Sequence, residues 1–136
     1  MGRYFTLREL TASATAARLG INNTPNLAQV HNINALVENV LDPLRHTYGK
    51  PIRVNSGFRS AALNKAVGGA KNSEHLCNRM SAAADITGGN PTENKRLFQL
   101  AQSLRLPFRQ LIDEKNYTWL HISFNPYDIK RQVLHL

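Results

Sequence analysis

A chain of 136 residues has room for one core and one domain, which excludes two independent catalytic modules. Hydrophobic residues make up 42% and charged residues 19%, with 8 Gly and 6 Pro, so a disordered or fibrous protein is excluded as well. The single Cys77 rules out an internal disulfide and a multi-cysteine zinc finger, and 17 Lys and Arg against 9 Asp and Glu leave a net charge of +8.

That charge suits an anionic partner: nucleic acid, an acidic membrane surface or the polymers of a bacterial envelope. The basic residues are scattered and no aromatic and basic interleaving appears, so no dedicated nucleic-acid groove is expected. Arg3, Arg8, Glu9 and Arg18 interrupt the first 20 residues, so neither a signal peptide nor a membrane-inserted segment is expected. A protein working outside the cytoplasm would then depend on another route of delivery.

Thr6-Leu7-Arg8-Glu9 has the form of a capping box and predicts a short helix. Residues 15–26 are polar and turn-rich, and Thr24-Pro25 offers an N-cap followed by the ring that suits a first helical position. The longest helix should follow, with Leu27, Val30, Ile33, Val37, Val40, Leu41 and Leu44 as its buried stripe, a kink at Asp42-Pro43 and Gly49 as its close. Residues 51–55 alternate like a short strand before Ser56-Gly57-Phe58-Arg59-Ser60 reads as a functional loop. One or two helical turns over residues 60–67 end at Gly68-Gly69, and residues 82–86 fit a buried strand. Pro91 opens a second clear helix whose core face is Leu97, Phe98, Leu100, Ala101 and Leu104, stopped by Pro107. Residues 108–113 and 118–124, joined through Glu114-Lys115-Asn116, predict an antiparallel hairpin. The order specifies a single α+β domain over residues 1–136, helices first and a small antiparallel sheet later.

Strand alternation over residues 118–124 sets Leu120, Ile122 and Phe124 on one face and Trp119, His121 and Ser123 on the other. Taken alone, His121 is more often a hydrogen-bonded imidazole than a metal ligand. Asp85 says more, because a lone carboxylate amid Ala82-Ala83-Ala84 is costly to bury unless it is paired or bound to a cation. Ser73-Glu74-His75 supplies a second imidazole. Two imidazoles and one carboxylate make a three-ligand set that leaves a fourth tetrahedral position for water, the pattern of a catalytic zinc.

Read in order, Phe5-Thr6-Leu7-x-Glu9-Leu10, Ser56-Gly57-Phe58-Arg59-Ser60, Asn64, Val67-Gly68-Gly69, Ser73-x-His75, Ala84-Asp85-Ile86 and Trp119-x-His121-x-Ser123 resemble the M15 zinc peptidases, in their D-alanyl-D-alanine carboxypeptidase branch. The resemblance covers nearly the whole chain and implies the hedgehog/D-Ala-D-Ala peptidase-like fold. It implies His75, Asp85 and His121 as ligands of Zn2+, Arg59 as the residue that binds or polarises the substrate, and Ser73 near the substrate's terminal carboxylate. Peptidoglycan stem peptides are the implied substrates, met by a monomer at the bacterial cell wall. Trp119 either lines the substrate cleft or packs.

The family pattern Ser-x-His-x-x-Gly-x-Ala-x-Asp is three residues longer here between His75 and Asp85, and Asn78 stands where a Gly is expected. The connecting loop must bulge outward for Asp85 to serve; otherwise Cys77, two residues after His75, is the rival ligand. The general base expected upstream of Trp119 is Glu114, with Asp113 the alternative on the opposite face, a choice that turns on strand register. His31, His46 and His135 read as surface or structural. Two other classes stand beside the enzyme: a wall-peptide binding module whose metal site the longer loop has spoiled, and a nucleic-acid binder.

Overall fold

The computed structural model describes residues 2–136. Helix α1 (Leu7–Thr11) starts as its sequence predicts: the Glu9 N–H donates to Thr6 Oγ1 (3.1 Å) and the Thr6 N–H to Glu9 Oε1 (3.2 Å). Within the stretch expected to be turns lies α2 (Ala14–Leu19), capped by Ser13 and closed by Gly20 at φ 68°. The next helix begins later than Thr24-Pro25 suggests. Asn26 and Gln29 exchange two 2.8 Å side-chain to backbone bonds, a full capping box that Thr24 cannot match, and α3 runs over Leu27–Leu36.

Pro43 has no N–H to give and its ring would meet the carbonyl four residues back. The chain answers with a π-helical turn (Val37–Leu41), in which the Asp42 N–H reaches back five residues to Val37, and continues as α4 (Asp42–Tyr48) up to Gly49 at φ 75°. Ile33, Val37, Val40, Leu41 and Leu44 are buried as the stripe predicts, each worth ~1.5–3 kcal/mol, joined by Leu36, while Val30 is half-buried. Leu27 departs furthest from the stripe at 89% exposure, one residue past its cap.

Five strands form one sheet in the order β1 (Arg53–Ser56), β2 (Ala82–Thr87), β4 (Trp119–Phe124), β3 (Gln110–Glu114), β5 (Gln132–His135). The first four are antiparallel, including the expected β3–β4 hairpin, while β5 adds a parallel edge beside β3. Helix α3 and the later α6 (Pro91–Ser103) cover one face, against Ala82, Ala84, Ile86, Leu111, Leu120 and Ile122. The other face carries Asp85, directly opposite His121 on β4, which is itself opposite Ile112 on β3. A bulge between Val54 and Ser56 brings Ser56 alongside Asp85 and ends the ladder where the Arg59 loop departs.

Candidate functional site

The loop after β1 is built by close backbone approach. A Cβ on Gly57 would run into the Leu10 carbonyl oxygen, so only glycine lets Phe58 donate its N–H to that oxygen (2.7 Å) and bury its ring. Asn23 holds the same loop through its Oδ1, which accepts from the Ser60 N–H (2.7 Å), and its Nδ2, which donates to the carbonyls of Thr11 (2.8 Å) and Phe58 (3.1 Å). Ser60 caps α5 (Ala61–Ala66), which carries the buried Asn64. Asn64 donates to the Ala70 carbonyl (2.9 Å) and accepts from the Arg59 guanidinium (3.4 Å), and Gly69 sits where any Cβ would strike that amide. Arg59 is thus aimed by two side chains, the second being Ser56, whose Oγ takes its Nε–H at 3.2 Å.

His75 lies on a one-turn 3₁₀ helix (Glu74–Leu76) capped by the Ser73 hydroxyl, which accepts the His75 N–H at 3.2 Å. Its Nδ1–H donates to the Gly57 carbonyl (2.8 Å), so Nε2 is left facing Asp85 Oδ1 at 3.3 Å. His121 presents Nδ1 to the same oxygen at 3.3 Å while its Nε2–H donates to Glu74 Oε1 at 3.1 Å. Both rings therefore spend one nitrogen on an acceptor and turn the other toward a common point, as imidazoles that hold a metal do. Donor atoms of His75, Asp85 and His121 all lie within 4.8 Å of one another, and they are the only such group of three among the described residues. Nitrogen and carboxylate donors at this count fit a zinc-type ion with a position left open.

The three extra residues do bulge outward. Asn78, Arg79 and Met80 form an exposed turn closed by the Ser81 N–H on the Asn78 carbonyl (3.0 Å), with Arg79 and Met80 at φ 54° and 65°. Asn78 replaces glycine without needing a positive φ, because that conformation falls on Cys77, Arg79 and Met80 instead. Cys77 is 1% exposed and packs into the core, outside the donor group, and burial pushes its thiol up to about 12. It is a neutral core residue rather than a thiolate facing the site.

Burial alone would raise Asp85, yet hydrogen bonds and charge from His121 and His75 hold it well below the ordinary carboxylate range. Burial likewise opposes a charge on His121, but Asp85 and Glu74 together push it up to about 9 in the metal-free protein. Glu74 also faces burial that would raise it and is lowered by His121, by a hydrogen bond from Ser123 and by the charge of Arg109. An unbroken row of charge results. Arg59 stands 3.7 Å from Asp85 Oδ2, His121 joins Asp85 to Glu74, Glu74 Oε2 meets Arg109 at 3.2 Å, and Arg109 Nε donates to Asp128 at 2.9 Å.

One cleft of about 460 Å³ is lined by Arg59, Ser73, His75, Asp85, Glu114, Trp119 and His121, while the rivals Cys77 and Asp113 lie outside it. Glu114 and Trp119 pair across β3 and β4 and share the cleft side with His121. The turn that joins them is tied to α6 by Asn94, whose amide donates to the carbonyls of Tyr117 (2.9 Å) and Thr118 (3.2 Å). Register separates the two acids, for Asp113 is buried on the opposite face, accepting from the Tyr117 N–H (2.7 Å) and from His135 Nδ1 (2.6 Å). Sequence reasoning overlooked Glu74 and Arg109, which lie 35 residues apart and meet only through the fold. The available signal was the acid Glu74 directly beside His75.

A fold with a two-imidazole, one-carboxylate cluster on the open face of its sheet, beside an arginine loop, defines a metal-dependent hydrolase class. A sequence model of the peptidase M15 family matches residues 3–123, and the chain belongs to that family. It is 49% identical over 51 residues to the zinc D-Ala-D-Ala carboxypeptidase of Streptomyces albus G, a match that covers 37% of this chain and 19% of that relative. None of the described helices is long and apolar enough to cross a membrane.

Proposed function

We propose that this chain is a zinc-dependent peptidase that hydrolyses D-Ala-D-Ala or related bonds of peptidoglycan stem peptides, acting as a monomer at the bacterial cell wall. The observation that carries the reading is the convergence of His75, Asp85 and His121 in one cleft with Glu114 and Arg59 on either side. In this reading His75, Asp85 and His121 hold the zinc, which when bound supplies a Lewis acid and a nucleophile made from water at neutral pH.

The chain's own groups do the rest. Glu114 takes a proton from the attacking water and returns it to the leaving amine, the transfer for which a carboxylate at the cleft wall is suited. Arg59, oriented by Ser56 and Asn64, forms a charge-assisted pair with the substrate's terminal carboxylate, and the Ser73 hydroxyl lines the same cleft as a further hydrogen-bonding group. Trp119 supplies an aromatic wall that orders the peptide against β4.

The test is metal analysis joined to turnover. Purified protein should hold close to one zinc per chain and release D-alanine from an N-acetylated Lys-D-Ala-D-Ala peptide, with activity lost to a chelator and restored by zinc. His121→Ala should lose both metal and turnover. A protein that binds wall peptides without zinc and cleaves none of them would establish the binding module instead, and affinity for nucleic acid that ignores chelators and falls steeply with salt would overturn both.

A further inference from the structure

A second groove of about 340 Å³ opens beside the cleft, and the two share Asn72, Ser73, Glu74 and Arg109 as a common wall. Its far side is the 78–81 turn, the same segment that lengthens the family pattern. Lys71 and Arg79 line it and enter no ion pair among the described residues, whereas its two acids are both paired, Glu74 with Arg109 and Asp128 with Arg109 and Lys130. The groove therefore offers two uncommitted cations and the hydroxyl of Ser81, whose oxygen accepts from the Asn125 amide at 3.0 Å.

The row of charge also sets a direction. Arg59 stands at the Asp85 end of the metal donors and Arg109 at the His121 end. With its terminal carboxylate on Arg59, a peptide laid across the donors toward Arg109 passes His121 and Glu74. At about 3.3–3.6 Å per extended residue, a side group three residues upstream reaches ~10 Å beyond the scissile bond, past the shared wall.

We propose that this groove is a subsite for a free carboxylate on the upstream part of the peptide substrate, built by the lengthened 78–81 turn and read by Lys71 and Arg79. The inference rests on the peptidase reading above. It gives the insertion a purpose: the loop carries a guanidinium to the one side of the cleft where the fold's remaining cation is consumed by its own acids.

Two probes test it on the zinc-loaded chain: N-acetyl-γ-D-Glu-L-Lys-D-Ala-D-Ala with its free α-carboxylate, and the same peptide with that carboxylate amidated. They differ by one charge. The acid should show a KM roughly two- to fivefold below the amide at equal kcat, the range expected for exposed ion pairs, and the gap should close as salt rises. It should vanish in a Lys71→Gln, Arg79→Asn double variant, where Asn tolerates the positive φ of position 79. Amide resonances of Lys71, Arg79, Ser81 and Asn125 should shift with the acid and stay with the amide.

Cleavage of both probes with equal KM, or equal shifts from inorganic phosphate at the same concentration, would overturn the subsite and leave the peptidase reading intact. Absence of cleavage with acid-specific shifts retained would support the groove and remove the peptidase reading.

Discussion

Removing Glu74 should weaken zinc binding without unfolding the protein. The carboxylate is 15% exposed and is held by His121 Nε2 at 3.1 Å, by Arg109 at 3.2 Å and by the hydroxyl of Ser123. Arg109 keeps Asp128 at 2.9 Å, so Glu74→Ala leaves no orphaned guanidinium. What is lost is the acceptor that holds the His121 proton on Nε2 and frees Nδ1 for the metal. A hydrogen bond to a charged group contributes about 1.5–3 kcal/mol, and at ~1.4 kcal/mol per decade zinc affinity should fall roughly 10- to 100-fold. Loss of an outer partner of a ligating histidine typically costs the same. Glu74→Gln retains a neutral acceptor of about half the strength and should lose roughly three- to tenfold. Metal-free protein competed against a zinc-chelating dye gives the affinity, a thermal melt checks the fold, and long-range proton–nitrogen correlation reports which His121 nitrogen bears the proton. Zinc affinity of Glu74→Ala within about threefold of the parent, with the ring tautomer unaltered, would refute the reasoning.

Exchanging the two neighbouring acids should have opposite consequences. Glu114→Gln should retain zinc and fold while kcat drops by about 10²–10⁴, the usual contribution of a general base. Asp113→Asn should leave turnover near normal and lower stability by ~1–3 kcal/mol in denaturant melts, because it weakens buried bonds to Tyr117 and His135. Cys77→Ala should bind zinc as the parent does, whereas a drop in stoichiometry would restore the thiol as a ligand. The metal-free protein holds His121 protonated up to about 9 against an ordinary 6.5, so its stabilising contribution is complete below about 6.5 and fades as pH rises through 9. Zinc must displace that proton, so its apparent affinity should climb between those limits, with a proton released that calorimetry in buffers of different ionisation heat will count. Affinity flat across that window would contradict the assignment.

Local chemistry was the most legible part of the sequence. Thr6 and Glu9 satisfy each other within one turn, and the Trp119-His121 alternation needs only a strand to sort its faces. Where two local signals competed, a third residue decided: Thr24 and Asn26 are both good caps, and Gln29 favours the second. The α2 helix was hidden because six residues carry little periodicity, although Ser13 stood ready to cap it. The final strand is four residues long and pairs with a partner over 20 positions earlier, a contact that no short window contains. The same limit applied at the site. Its donors could be named from motifs, but the choice between Glu114 and Asp113 required the β3–β4 register, and the Glu74–Arg109 pair required the whole sheet.

The Leu10 and Asn23 bonds to the loop that carries Arg59 have a practical consequence for anyone reshaping this molecule. The first two dozen residues act as a buttress: trimming them would leave the imidazoles and their acid standing on β2, β4 and the 3₁₀ turn, yet free the guanidinium to swing. A shortened chain should load metal normally and still lose its hold on short peptides, so occupancy alone is a poor guide to whether such a truncation has preserved the enzyme.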